Sequence, residues 1–229
     1  MKTPLRIALA LALAGLLAPA ILAQTSGTVQ ISGTASAAVK LTSGGNASLT
    51  GNVGGGVTAQ SAADAALATV VDFGEVGPGN TNTYVCFTQP LFLRANAPST
   101  VSAAVTAESF GASPDAVQKD DIGIGFLNLA AGGPNADIST TTITAAFGAD
   151  PCAATLDADG IPAYSADLDS LATSTPGTAV ITSTGPISLR GNFNSASNEA
   201  DVDLHLAMVP QSYEAGVFSA TLTLTMTTP

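Results

Sequence analysis

The sequence predicts an all-β sandwich, and three observations predict it. Apolar residues recur at every second position through several segments, the period of a strand with one buried face. Residues 24–229 carry no long apolar stripe at 3.6-residue spacing. Clusters of turn-forming residues punctuate the chain at roughly ten-residue intervals, as expected for short strands joined by turns. Aromatic residues make up only 5% and Trp is absent.

The elements follow in order. Residues 1–23, "MKTPLRIALALALAGLLAPAILA", read as an export signal. Lys2 and Arg6 precede an Ala/Leu-rich run, and small residues precede a cut after Ala23. Pro19 and those small residues favour removal over a membrane anchor, which needs about 20 unbroken apolar residues. The chain is therefore expected to be secreted, through the periplasm, to the cell surface, with no membrane insertion once the signal is gone. Residues 24–67 read as an N-terminal extension and residues 68–229 as the sandwich domain.

In the extension, Val29, Ile31, Gly33, Ala35, Ala37, Val39 and Leu41 hold period 2 for thirteen residues, a half-buried strand or strand pair. Gly54–Gly56 mark a turn or link, and "SAADAALA" reads as one short helix. "TVVDFGEVGPGN" is a strand running into a Gly-Pro-Gly turn. "TYVCFT" and "LFLRANA" are strands parted by Pro90, which predicts a bulge or an edge position. "STVSAAVTAE" and "IGIGFLNLA" are strands. Residues 148–177, rich in Asp, Ala, Ser and Pro, read as a long excursion. "PISLRGNF" and "ADVDLHLAMV" are strands, and a final strand runs to the C-terminus through Phe218, Ala220, Leu222, Leu224 and Met226.

Charge and cysteine content narrow the function classes. The formal charge is −11, and after Lys2 and Arg6 the basic residues are Lys40, Arg94, Lys119 and Arg190, against 17 acidic ones. Nucleic-acid binding needs clustered Lys and Arg, so no nucleic-acid partner is expected. Cys86 and Cys152 are the two cysteines. They lack the CxxC spacing of redox and metal motifs and, in an exported chain, are expected to form one structural disulfide. In the chain-entropy account a loop of that size stabilises by about 4 kcal/mol.

Candidate sites are sparse. His205, the single histidine, falls on the same strand face as Glu199, Asp201 and Asp203, a stripe read as facing solvent. Asp157, Asp159 and Gly160 reproduce part of a calcium loop. Thr155 and Ala166 stand where an EF-type loop needs ligands, so the match is partial. A looser calcium site would use Asp157, Asp159, Asp167 or Asp169. No GxSxG, phosphate loop, dinucleotide fingerprint or HExxH occurs, so no catalytic residues are assigned and the chain is not expected to be an enzyme.

The C-terminal stretch carries a resemblance. Gly216, fourteenth from the end, is followed by Phe218, Ala220, Leu222, Leu224 and Met226. This resembles the closing strand of bacterial chaperone-usher pilins and of spore-coat-U-like secreted proteins, and "VDFGEVGPG" is similar to their first core strand. Thr228 stands where pilins usually carry a Tyr. The resemblance implies an incomplete immunoglobulin-like sandwich completed by a neighbouring subunit's N-terminal strand, that is, β-augmentation. It implies a pilin-like or coat-like structural subunit whose partners are copies of itself or related subunits, with Val29–Leu41 as the donor. The same segment can instead pair within its own domain. The rival reading is an adhesin or carbohydrate-binding module that takes a glycan, with or without calcium.

Overall fold

The computed structural model describes residues 32–229. The export signal, Val29 and Ile31 lie outside the described residues. Residues from Ser36 to Pro229 form one compact unit. Thirteen strands follow in chain order: β1 (Val39–Ser43), β2 (Ser48–Thr50), β3 (Gly56–Ala59), β4 (Val70–Asp72), β5 (Val85–Ala95), β6 (Ser99–Ser109), β7 (Gly123–Ala131), β8 (Thr141–Ile143), β9 (Thr155–Leu156), β10 (Pro162–Ala163), β11 (Thr178–Ser183), β12 (Ala200–Met208) and β13 (Ser219–Thr227). The helical elements among the described residues are three-residue 3₁₀ turns, so none is long and apolar enough to cross a membrane.

The protein is an all-β sandwich. One sheet runs β1-β5-β12-β7, with β2 also on β5, and the other runs β13-β6-β11-β8. Every ladder within them is antiparallel. The chain changes sheet between β5 and β6, between β6 and β7, and between β7 and β8, so neighbours in a sheet are distant in sequence. The core lies between the sheets. Val85, Phe87, Leu91 and Leu93 of β5 and Val202, Leu204 and Met208 of β12 meet Val101, Ala103 and Val105 of β6 and Ile181 of β11. The alternation of buried and half-buried residues along β5 and β12 is the period-2 pattern read from the sequence.

Several elements differ from the expectation. The thirteen-residue strand expected over Val29–Leu41 begins only at Val39; Gly33, Ala35 and Ala37 form no strand. Val39 and Leu41 pair with Ala95 and Leu93 of β5 in the same chain. The sheet thus takes in residues that the sequence reading assigned to the 24–67 extension.

"SAADAALA" forms a turn rather than a helix. Asp64 sits at a φ of 62°, its N–H donates to Ser43 O at 2.8 Å, and its carboxylate meets Arg94. These long-range ties outweigh a short run of helix formers.

Pro90 lies inside a continuous eleven-residue strand flanked on both sides. Its carbonyl accepts from Gly44 N at 2.7 Å. That side of Pro90 therefore faces the break between β1 and β2, and its missing N–H leaves no ladder bond unmade. Gly44 is required at the break, since a Cβ there would stand 2.8 Å from Pro90 Cβ.

"PISLRGNF" yields only an isolated bridge, between Ser188 and Ala136. β8 and β11, which complete the second sheet, were not anticipated.

Candidate functional site

β13 borders the second sheet and, among the described residues, pairs on one side only, with β6. The sequence reading buries Phe218, Ala220, Leu222, Leu224 and Met226 together. The structure leaves Phe218, Leu222, Leu224 and Met226 half-buried against the core and Ala220 exposed. A register shift between Thr221 and Leu222, opposite Ala107 and Val105, breaks the alternation there. Phe218 stacks on Phe110, with ring centroids 6.2 Å apart and planes within 8°. Gly216 has open space around it and adopts no left-handed φ. Its place there is not a steric demand of this chain.

Beside the start of β13 the sandwich is open. A groove of about 730 Å³ runs between residues 70–78, β4 and the turn after it, and residues 213–222. Val117, Ile122, Leu168 and Leu206 are its apolar floor. Val217, on the rim, is 93% exposed. Two of the acidic groups lining the groove are held by local turns: Asp72 accepts from Gly74 N at 2.9 Å and Glu75 from Gly77 N at 2.6 Å. Tyr213 donates to Val209 O at 3.3 Å, and burial pushes its hydroxyl pKa up. At the other end of the same rim, β1 packs close to β13 and closes the sandwich. The groove thus lies beside the first residues of β13, Ser219, Ala220 and Leu222, facing β4.

On the outer face of the first sheet, Cys86 of β5 and Cys152 are joined in a disulfide, with Cα atoms 5.8 Å apart. The bond clasps the 145–154 excursion to the sheet. Gly123 and Gly125 make room for it, since a Cβ on Gly125 would stand 2.3 Å from Ala149 O.

The stripe read as solvent-facing is largely covered. Glu199 is 4% exposed and pairs with the fully buried Arg94, which also meets Asp64. Burial raises the Glu199 carboxyl above its usual range against the pull of Arg94, whereas the hydrogen bond from Arg94 lowers that of Asp64. Asp201, half-buried, is also raised by burial. His205 sits under the excursion with Nδ1 3.2 Å from Asp150 Oδ1.

Three of the four aspartates considered for calcium have their carboxylates engaged elsewhere, and Asp159 joins the turn of Asp157 through its N–H. Asp157 Oδ1 accepts from Asp159 N and Ile161 N at 2.9 and 2.8 Å, closing the β9–β10 turn. Asp167 caps the turn at Ser170, and Asp169 pairs with Lys119 at 3.2 Å. The cluster with ligand atoms close together is another one, Asp150, Cys152 and His205. Sequence reasoning missed it because the residues come from an excursion and a strand about fifty positions apart. It missed the groove floor for the same reason. The chain matches no family model, no curated protein and no solved structure in comparison with known proteins.

Proposed function

We propose that the protein is an exported structural surface subunit, pilin-like or coat-like, that assembles with copies of itself or related subunits by strand addition. The observation that carries this reading is the apolar groove beside the edge of β13 that pairs with no strand among the described residues. An open edge offers backbone donors and acceptors, and a groove beside it takes every second side chain of an added strand. Left uncovered, such an edge is a template for association.

The donor is the segment before β1 in a neighbouring copy. Val29, Ile31, Gly33, Ala35 and Ala37 alternate with mostly polar residues, while Val39 and Leu41 are spent on β5 of their own subunit. Deleting residues 24–38 therefore removes the donor and leaves β1 in place. The exported full chain should give detergent-resistant ladders, and the truncated chain should give folded monomers. A synthetic peptide of residues 24–38 should block the ladder when added during assembly. Ladders from the truncated chain equal to those of the full chain would overturn the reading.

A further inference from the structure

We propose that the reduced chain holds a thiophilic divalent cation, zinc in the first place, through Cys86, Cys152, His205 and Asp150. One ligand atom each from Asp150, Cys152 and His205 lies within 4.8 Å of the others. Cys86 is bonded to Cys152, so its sulfur lies one bond from that group. It lies on the strand next to His205: Ala207 of β12 pairs with Cys86 and His205 with Thr88, so both side chains stand on the outer face. Two thiolates, an imidazole and a carboxylate make four ligands, the number of a closed tetrahedral zinc site, and thiolate with imidazole is a set that zinc favours. His205 is already oriented, with Nδ1 on Asp150 and a side chain only 14% exposed. The excursion carrying Cys152 and Asp150 lies directly on Gly123 and Gly125, so three of the four ligands already converge and the fourth, Cys86, sits on the strand beside them.

The disulfide and the metal exclude each other, because both sulfurs are used in the bond. A dithiol or phosphine reductant opens it. The disulfide takes two electrons and two protons to give two thiols, while the dithiol becomes a cyclic disulfide or the phosphine, with water, its oxide. Zinc then displaces both thiol protons to solvent. Metal and disulfide are alternative clasps for one excursion, the first serving the chain before its cysteines are oxidised.

The test is zinc uptake by the full exported chain, oxidised and after phosphine reduction, with cobalt as the spectroscopic probe. The reduced chain should take up one zinc per molecule and the oxidised chain none, and cobalt should give the visible bands of a tetrahedral site with thiolate charge transfer. His205→Ala and Asp150→Asn should each weaken zinc binding by about tenfold or more. Cys86→Ser keeps three of the four ligands and cannot re-form the disulfide, so it should bind zinc without reductant in a His205-dependent way. Failure of both the reduced chain and Cys86→Ser to bind zinc overturns the proposal. So does binding that His205→Ala leaves unchanged, or equal binding by the oxidised chain.

Discussion

Arg94 joins two carboxylates from distant parts of the chain. It is fully buried on the outer face of the first sheet, lies 5.9 Å over the Phe92 ring, and is shared by Glu199 and Asp64. Its Nε has no hydrogen-bond partner among the described residues. Removing one member of such a group strands the others, which costs more than the intact group contributes. Arg94→Ala should therefore destabilise by about 3–5 kcal/mol in urea unfolding, whereas Lys40→Ala, which removes a 3.6 Å contact to the same Asp64 near the surface, should cost under about 1 kcal/mol. The two carboxylates respond to pH in opposite directions. Asp64 is held ionised below the ordinary aspartate range, so its contribution is present above that range and is lost as pH falls through the lowered value. Glu199 keeps its proton to higher pH in the folded state, so its contribution falls as pH rises from the ordinary glutamate range through the raised value. Asp64→Asn should flatten the loss of urea midpoint on acidification. An unchanged acid limb would show that Asp64 ionisation is not linked to folding. None of this network is visible in the sequence, where Glu199 is one acid in an alternating stripe; it arises because Arg94 of β5 reaches both the turn at Asp64 and, just before β12, Glu199.

At the scale of elements, β13 is an edge whose two sides differ. Leu222 packs on the core, while Thr223 points away and shares a 2.8 Å hydroxyl contact with Thr106. Leu222→Asp should lose about 1–3 kcal/mol, from lost burial and a poorly solvated charge, and Thr223→Asp under about 1 kcal/mol. Equal losses in denaturant unfolding would show that the strand has no preferred face. Alternation made β5, β6, β12 and β13 legible, because a strand's period is set by its immediate neighbours. β11 was not legible: "TAVITS" follows directly on the Ser/Thr/Pro-rich end of the excursion and is only six residues long. Helix propensity misled at 61–68, where a bond to β1 and an ion pair to β5 decide the backbone. Pro90 misled because the irregularity it demands sits in the neighbouring edge, between β1 and β2, rather than in its own strand.

Across the whole molecule, strand order is the least readable property, since β5 lies beside β12 although β6 to β11 intervene in the chain and the chain crosses between the sheets on the way. The groove follows from that order, because its walls come from residues 70–78 and 213–222. Position along the sandwich then acquires a mechanical meaning. β1 begins at Val39 opposite Ala95, whereas the groove lies at the far end, where Ser219 pairs with Ser109. In a row of copies joined through the groove, tension enters at one end of the strands and leaves at the other. It runs along the strand axes, so the ladder between β1 and β5 is sheared with all its hydrogen bonds loaded together. Pulling instead from Val39 and Thr227, which both lie at the Ala95 end, would peel the same ladder bond by bond. Single-molecule pulling between Val39 and Val217 should therefore need a higher rupture force than pulling between Val39 and Thr227, and equal forces would show that the axis of the sandwich is not the direction in which it resists load.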